Sequence, residues 1–470
     1  MDEVLTLSAR AQAARIAGGE LSAEALMRAT LERVREVNGA LNAIVSLRDE
    51  ADLLEEARRA DAEPARGALH GLPVAVKDLS NVAGLPTSKG SPALAGQIAA
   101  SDDLHVARMR AAGAIVIGKT NTPEFGLGSH TFNPVHGVTC NPYDKTRSCG
   151  GSSGGAAVAL AARMLSIADG SDMMGSLRNP AGWNNVYGMR PSWGLVPAEP
   201  AGDTFLHQLS TLGPMARDPG DLALLLGVMA GPDARQTHGV AAPDLTQDPA
   251  AKIAGRRIGW LGDWGGAFAM EAGIMDLGRA ACAVFEELGC IVEDVAPPFS
   301  RDALWESWTA LRSWSVACNL SPLLESPETR DRLKPDAIWE IERGRAMSGL
   351  DVHRASVIRS QWFTRAAELF DRYDALVMPT AQVWPFPLEW AWPREIAGQA
   401  MDSYHRWMEV VVPASLAGLP ALAVPAGFGA GGLPMGVQLI GRRGADRGLL
   451  DLGQAYHEAT RWPERNPVES

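Results

Sequence analysis

The sequence is poor in cysteine, and its few cysteines form no recognisable pattern. Five occur among 470 residues, at irregular spacing: Cys140, Cys149, Cys282, Cys290 and Cys318. An odd, irregular set argues against a disulfide framework and favours free thiols in a reducing compartment, which predicts a cytoplasmic protein. No cysteine and histidine group has zinc-ligand spacing, so the sequence predicts no bound metal.

The sequence also lacks an excess of positive charge. It has 43 lysine and arginine residues against 55 aspartate and glutamate residues, a formal net charge of −12 at pH 7. Nucleic acids and anionic lipid surfaces bind clustered cations, and no lysine and arginine cluster offsets this balance. We therefore expect neither nucleic acid nor a membrane surface as a partner.

Long hydrophobic segments are missing as well. The N-terminal segment MDEVLTLSARAQ has neither the basic nor the apolar region of a signal peptide. The stretch AAVALAARMLSIA is shorter than the ~20 residues that cross a bilayer, and it contains Arg163. The sequence therefore predicts no membrane span.

Short apolar segments are present, and helical patterns lie between several of them. Six have the length of buried strands: LPVAV (72–76), AIVI (114–117), IGWL (258–261), ALVMP (375–379), ALAVP (421–425) and GVQLI (436–440). An early helix has Ser22 as its N-cap and Asn38-Gly39 as its stop. This alternation predicts an α/β fold with a covered, largely parallel or mixed sheet.

Tryptophan is concentrated in one part of the chain. The segment 296–410 holds nine of the fourteen tryptophans, including those of VWPFPLEWAWP (383–393). Such a segment fits an aromatic core or a rigid connector. It equally fits a cap over a substrate cleft, because aromatic side chains commonly line pockets.

Two nucleotide-binding motifs match the sequence by chance. GAIVIGKT (113–120) has the P-loop spacing, but Ala-Ile-Val-Ile at its centre predicts a strand and not a phosphate-binding loop. GFGAGG (427–432) has the dinucleotide-binding spacing, but the segment LPMGVQLIG after it is strand-like. We interpret the second match as a hairpin turn.

Two alternative nucleophiles lie close together. GGSSG (150–154) matches the nucleophile elbow with Ser152 at its centre, but the preceding NPYDKTRSC does not resemble a buried strand. Cys149 stands beside a glycine pair, although a small buried thiol is the favoured interpretation. None of the histidines that an elbow would need has a distinctive setting: His207, His238, His353, His405 and His457.

A long serine- and glycine-rich block resembles the amidase signature family. The block is GGSSGGAAVALAARMLSIADGSDMMGSLRNPA (150–181), and its Ser152 and Ser176 are 24 residues apart, as the family pattern requires. The family's lysine segment is matched by GLPVAVKD (71–78). Further matches are GKTNTPEFG (118–126), HGVTCNPYD (136–144) and PASLAGLPALAVPAGF (413–428). The resemblance runs from about residue 8 to residue 460 and is weakest over 230–370.

Acyl transfer needs a nucleophile, a proton acceptor and a site for the developing oxyanion. No histidine lies near the serine blocks, so another group must accept the proton. Lys77 follows an apolar strand, and burial lowers the pKa of a lysine until its neutral form can act as a base. The alternative is that Lys77 only forms an ion pair with Asp78 or another carboxylate.

The resemblance implies a role for each residue that matches the family pattern. Ser176 is the nucleophile, Lys77 the general base, and Ser152 the relay between them. The Gly151–Ser152 peptide is expected to be cis. The supporting loop residues are Gly151, Ser153, Asp172 and Arg178, with an ion pair expected between the last two.

The resemblance also implies an oxyanion hole made of consecutive backbone amides. These belong to Met173, Met174, Gly175 and Ser176, and Met174 stands where the family usually has glycine. We expect its side chain to project toward the acyl pocket. The expected substrate pocket consists of Phe125, Gly126, Leu127 and Met174.

Together these features predict an amidase that hydrolyses a linear amide through an acyl-enzyme on Ser176, without metal or cofactor. The expected fold is one amidase-signature α/β domain over 1–470, with a mixed sheet, flanking helices and a Trp-rich cap at about 296–410. The aromatic content favours an aromatic or bulky apolar small-molecule substrate. Three alternatives remain: a carbamate or ester hydrolase with the same triad, the glutaminase-like component of a tRNA-dependent amidotransferase, and a non-enzymatic binding protein.

Overall fold

The computed structural model describes residues 2–245 and 248–468. Within these ranges the α-helices are α1 (Ala9–Ala17), α2 (Ala23–Leu41), α3 (Glu50–Ala62), α4 (Leu104–Ala111), α5 (Gly154–Ala161), α6 (Arg178–Trp183), α7 (Pro219–Met229), α8 (Ile274–Glu287), α9 (Arg301–Glu325), α10 (Pro327–Arg330), α11 (Pro335–Arg345), α12 (Gly349–Phe370), α13 (Val412–Leu416), α14 (Asp446–Thr460) and α15 (Trp462–Arg465). Short 3₁₀ helices occupy Glu3–Thr6, Glu124–Gly126 and Arg406–Val411.

The strands of the described residues include all six predicted from sequence. They are β1 (Ile44–Val45), β2 (Pro73–Lys77), β3 (Ile115–Thr120), β4 (Phe132–Asn133), β5 (Gly137–Val138), β6 (Ile167–Asp172), β7 (Tyr187–Arg190), β8 (Thr211–Ala216), β9 (Arg257–Trp260), β10 (Ile291–Asp294), β11 (Ala375–Pro379), β12 (Glu395–Ile396), β13 (Gln399–Ala400), β14 (Ala421–Phe428) and β15 (Pro434–Ile440). GAIVIGKT ends in strand β3, and GFGAGG joins β14 to β15, so both motif interpretations are confirmed.

The central sheet has eight strands in the order β10-β9-β11-β15-β14-β7-β8-β6. Strands β10, β9 and β11 run parallel, whereas the remaining neighbours pair antiparallel. The sheet is therefore mixed, as the alternation of segments predicts. Successive residues of β14 face opposite sides: Leu422 and Val424 join one hydrophobic cluster with α7, α8 and α14, and Ala421 joins another with α9 and α12.

A second sheet, of three strands in the order β1-β3-β2, carries Lys77 at the end of β2. Strand β2 runs parallel to β3, and β1 runs antiparallel to it. The backbone amide of Lys77 donates a hydrogen bond of 2.9 Å to Asp169 Oδ1 on β6. This bond fixes the end of β2 against the edge strand of the central sheet.

Helix α2 shows where local sequence signals succeed and fail. The Ser22 hydroxyl accepts a hydrogen bond from the amide of Ala25, which confirms the predicted N-cap. The predicted stop at Asn38-Gly39 is wrong, because the helix continues to Leu41. The Asn38 side chain instead accepts hydrogen bonds from the amides of Ala43 and Ile44, which stabilise the chain beyond the helix.

The Trp-rich segment is not a continuous cap. Its helices α9 to α12 lie outside the sheet, but β11 is a central strand between β9 and β15. Trp308, Trp362 and Trp407 are buried in a hydrophobic cluster with Met378 of β11. Tryptophan in this segment therefore serves largely as core between the added helices and the sheet.

Candidate active site

Lys77 is buried and surrounded by hydroxyl groups. Its side-chain Nζ lies 2.8 Å from Ser152 Oγ, 2.9 Å from Ser153 Oγ and 3.1 Å from Ser171 Oγ. The expected alternative, an ion pair with Asp78, does not form: Asp78 contacts Lys119 at 3.5 Å and accepts a hydrogen bond from Ser88. The lysine side chain therefore meets groups that can both donate and accept protons.

Burial lowers the pKa of Lys77 to about 7, although attraction to Asp169 and Asp172 opposes part of this shift. The direction follows from the loss of water around the charged form. Neither carboxylate is a hydrogen-bond partner of Nζ among the described residues, which leaves the amine free to lose its proton. At neutral pH a substantial fraction of Lys77 is then a neutral amine.

Ser152 lies in the loop that leads into α5. The peptide bond between Gly151 and Ser152 is cis, as the resemblance implies. Close packing explains the glycines that follow: a Cβ at Gly155 would lie 2.3 Å from the Asn121 amide nitrogen. The loop is thereby pressed against the end of β3, where Ser152 Oγ reaches Lys77.

Ser176 lies in the turn between β6 and α6. Gly175 before it adopts φ +78°, a conformation that glycine accepts without the strain of a Cβ. The Ser176 carbonyl accepts a hydrogen bond of 3.2 Å from the Ser153 amide, which joins the two serine segments directly. Ser152 and Ser176 line the same cavity.

A buried aspartate organises the turn. The Asp172 carboxylate accepts hydrogen bonds from the amides of Gly175 at 2.9 Å and Leu177 at 3.2 Å. It also pairs with Arg178 at 3.0 Å and Arg190 at 3.2 Å. Burial opposes ionisation, but the two guanidinium groups outweigh it and lower the pKa of Asp172, so this carboxylate is ionised at any working pH.

The hydrogen bond to Asp172 corrects one expected oxyanion donor. The Gly175 amide already donates to that carboxylate, so it is not free to bind an oxyanion. The amides of Met173, Met174 and Ser176 have no acceptor within the described ranges. These three amides are available to a ligand.

A cavity of about 230 Å³ opens beside the serines. Its lining includes Phe125, Gly126 and Leu127, where the sequence places a substrate pocket. The expected contribution of Met174 is wrong: its side chain is buried in the core with Trp183 and Val411, while Met173 lines the cavity. The remaining lining residues are Leu79, Lys89, Ser171, Ser210, Arg312, Ser315, Val316, Asn319 and Leu320.

The segment 296–410 contributes one wall of this cavity, through α9. That wall includes Arg312, Val316 and Leu320, and no tryptophan of the segment is among the described lining residues. The cap expectation is therefore met by a helix whose cavity face is mixed in character, whereas its aromatic residues lie elsewhere.

The two alternative nucleophiles have unsuitable surroundings. Burial raises the pKa of the Cys149 thiol, which disfavours the reactive thiolate. Ser152 has no histidine partner among residues 2–245 and 248–468, and the chain before it forms only an isolated bridge between Cys140 and Ser148. Neither a thiolate nor a serine–histidine pair is present at this loop.

The described chain shows no cluster of three or more histidine, cysteine, aspartate or glutamate residues arranged for a metal ion. Nor does any of its helices combine the length and apolarity needed to cross a bilayer.

Sequence reasoning missed Ser171, Lys89 and Arg312. Ser171 immediately precedes Asp172 in the signature block, so its position beside the buried lysine could have been proposed. No local pattern marks Lys89 or Arg312, because their common position depends on how α9 packs over the site.

Comparison with known proteins identifies the family. A family model described as Amidase matches residues 25–450. The solved structure of a bacterial aryl acylamidase of the amidase signature family superposes with a TM-score of 0.91, at 28% identity, covering 97% of each chain. The chain belongs to the amidase signature family. Its predicted family and α/β fold are thereby confirmed.

Curated relatives of this amidase signature protein include two kinds of enzyme. An acylamidase of Rhodococcus erythropolis is 33% identical over 471 residues, covering 99% of this chain and 98% of that protein. The GatA-type chain of the glutamyl-tRNA(Gln) amidotransferase from Thermus thermophilus is 36% identical over 475 residues, covering 95% of this chain and 96% of that protein. Members of the family are hydrolases of carbon–nitrogen bonds, so the predicted enzyme class is confirmed.

Proposed function

We propose that this enzyme hydrolyses a linear amide to a carboxylate and an amine through an acyl-enzyme on Ser176. The observation that carries the proposal is the contact of 2.8 Å between the buried Lys77 Nζ and Ser152 Oγ, beside a cavity that Ser176 shares. A neutral amine in hydrogen-bond contact with a hydroxyl can draw a proton along that bond. The arrangement supplies base, relay and nucleophile without histidine.

In the first half-reaction, the Ser176 hydroxyl passes its proton to Ser152 as Ser152 passes its own to Lys77. The Ser176 oxygen bonds to the amide carbon, and the carbonyl electron pair moves onto oxygen. Free amides of Met173, Met174 and Ser176 are candidates to stabilise that oxyanion. As the carbon–nitrogen bond breaks, Lys77 returns a proton through Ser152 to the leaving amine.

In the second half-reaction, water attacks the acyl-enzyme and gives its proton to the same relay. Collapse of the tetrahedral intermediate releases the carboxylate, and the proton returned through Ser152 restores the Ser176 hydroxyl. The cycle needs only water as a co-reactant. A carbamate or ester would pass through the same intermediate, so bond preference is decided by assay.

The test uses the purified chain alone with a matched amide, carbamate and ester of one acyl group. We expect amide hydrolysis without ATP, tRNA or a partner protein, and no loss of rate with EDTA. Ser176→Ala should abolish it, whereas Ser210→Ala, which removes another serine of the same cavity, should retain most activity. Full amide turnover by Ser176→Ala would reject the proposal.

The glutaminase-like component of a tRNA-dependent amidotransferase is the second candidate, because a curated relative of that type shares 36% identity with the chain. Such a component must bind free glutamine, which carries an α-ammonium and an α-carboxylate. The described cavity lining offers Lys89 and Arg312 but no carboxylate to pair with an ammonium. Ammonia release from glutamine that appears only with partner proteins would favour this candidate over the first.

A further inference from the structure

The active-site cavity contains two cationic side chains and, among its described lining residues, no anionic one. One is Arg312 on α9, whose side chain is only 3% exposed. The other is Lys89, which is partly buried and packs beside Phe125 through a backbone bond of 2.8 Å. Neither charge takes part in the proposed triad.

Arg312 is held rigidly from the side opposite the cavity. Its Nε donates to Glu340 Oε1 at 2.8 Å and its Nη2 donates to the Tyr404 hydroxyl at 2.8 Å. Tyr404 in turn donates to Glu340 at 2.8 Å. This closed triangle fixes the plane of the guanidinium and leaves its Nη1 edge toward the cavity residue Met173.

That edge has unused donor capacity. A guanidinium has five N–H groups, and within the described residues only two of those of Arg312 reach oxygen acceptors. Nη1 lies 3.2 Å from the thioether of Met173, which is a weak acceptor. A buried arginine with an unsatisfied edge in a cavity is preorganised for a ligand oxygen.

Lys89 adds a charge that no neighbour neutralises. Its ammonium has no hydrogen-bond or carboxylate partner in the described part of the chain, whereas Arg312 is balanced by Glu340. An anion in the cavity would therefore gain a hydrogen-bonding edge from one residue and an uncompensated positive charge from the other. The surrounding Leu79, Phe125 and Leu320 suit an apolar linker.

We infer that the substrate carries a carboxylate on an apolar chain, bound by Arg312 and Lys89 while its amide lies at Ser176. This inference rests on the proposed amide hydrolysis for the identity of the reacting bond, but the carboxylate site is a feature of the cavity itself. It makes Arg312 and Lys89 specificity-determining residues.

The experiment measures binding to the Ser176→Ala variant, which needs no turnover. The probes are the 4-nitroanilides of succinic, glutaric and adipic acids. Each is matched by a neutral analogue in which isopropyl replaces the carboxylate: the 4-methylpentanoyl, 5-methylhexanoyl and 6-methylheptanoyl anilides. Because a hydrogen bond to a charged group is worth more than a neutral one, at least one acid should bind about tenfold or more tightly than its analogue.

Three further variants locate the effect. Lys89→Met removes the free charge, and Arg312→Met combined with Glu340→Gln removes the guanidinium without leaving a buried carboxylate unpaired. Both should reduce the acid-to-neutral binding ratio by about tenfold. Arg359→Met is the matched control, because Arg359 lines a different cavity on α12 and its loss should leave the ratio unchanged.

Equal binding of acids and neutral analogues, no measurable binding of any acid, or an unchanged ratio in both cavity variants would overturn the inference. An equal fall of the ratio in Arg359→Met would also overturn it. Absence of amide hydrolysis by the unmodified enzyme would instead count against the proposed function. The two failures are therefore seen in separate measurements.

Discussion

Lys77 combines two properties that are seldom found together: complete burial and hydroxyl partners in place of carboxylate partners. A carboxylate in direct contact would hold the proton on the amine, because an opposite charge favours the ionised form. Hydroxyls can accept from the charged amine or donate to the neutral one. The residue is thus stable in both protonation states that the proposed reaction requires.

The pH dependence of the rate follows from this environment. Burial lowers the pKa of Lys77 to about 7, and only the unprotonated amine can accept a proton. We expect kcat/KM to rise about tenfold per pH unit below that value and to level off above it. The profile is measured with a neutral amide, whose own ionisation does not change. A rate that stays constant from pH 5 to pH 9 would contradict the assignment of Lys77 as base.

Stability should change in the opposite sense when the lysine is removed. Because the folded-state pKa lies below the ordinary value of 10.5, the unfolded chain binds more protons between pH 7 and pH 10.5, and stability rises with pH across that window. We expect Lys77→Met to be more stable than the wild type at pH 6, with the difference in Tm shrinking toward pH 10. A Tm difference that grows with pH would show that the buried amine is not destabilised by its charge.

The two adjacent methionines should respond differently to truncation. Met174 is buried in the core, so Met174→Ala should lower the free energy of unfolding by ~2–5 kcal/mol. Met173 lines the cavity, so Met173→Ala should change KM across a substrate series with a smaller effect on stability. Denaturant unfolding and steady-state kinetics on both variants distinguish these roles. The reverse pattern would mean that Met174 is the residue that faces the substrate.

At the level of elements, the turn between β6 and α6 is shaped by Asp172 and not by its glycine content. The carboxylate binds two amides of the turn and two arginines, Arg178 on α6 and Arg190 on β7. The same anchor uses the amide of Gly175 and leaves those of Met173, Met174 and Ser176 pointing away from protein acceptors. A single buried charge thereby connects a strand end, a helix start and the nucleophile position.

Asp172→Asn tests this anchor. The change leaves two buried guanidinium groups without their counter-ion, so we expect a loss of ~3–5 kcal/mol in unfolding free energy. Misplacement of the oxyanion donors should lower kcat by ~10²–10³-fold in whatever protein remains folded. Asp203→Asn is the control, because Asp203 is exposed and binds only a local amide. Equal activity of the two variants would show that the turn holds its shape without the aspartate.

Sequence reasoning reached the strands and the placement of the serines because both are recorded locally. All six apolar segments are strands, and the signature block gives the spacing of Ser152 and Ser176. It misplaced Met174 and assigned a free amide to Gly175, since a side chain's direction in a turn depends on hydrogen bonds that the turn makes with distant groups. The departure of helix α2 from its expected end at Asn38 has the same origin.

At the level of the whole molecule, the site is assembled where two sheets and the added helices meet. The three-stranded sheet supplies Lys77, the edge of the central sheet supplies Ser171, and α9 closes the cavity with Arg312 and Leu320. The first two contributions lie in the part of the sequence with a clear signature. The third lies in the region of weakest resemblance, which explains why the character of the cavity could not be predicted from motifs.

This division indicates how the enzyme separates chemistry from selectivity. The triad candidates are fixed by short contacts within the β2, α5 and β6–α6 segments, whereas the described cavity charges come from Lys89 and from α9. Changes in α9 or at Lys89 should therefore alter which substrate binds and leave the pH dependence of the reaction unchanged. That expectation is checked by comparing kcat/KM profiles of Lys89→Met and the wild type, whose inflections should coincide near the same pH.

The most direct test of the account is covalent labelling with a fluorophosphonate, followed by peptide mass spectrometry. The account predicts a single adduct on Ser176, formed faster as pH rises through about 7 because Lys77 loses its proton there. Labelling should persist in Cys149→Ala and almost disappear in Lys77→Arg, since arginine keeps its proton at working pH. An adduct on Ser152 or Cys149, or a Lys77→Arg variant that labels as fast as the wild type, would contradict the proposed triad.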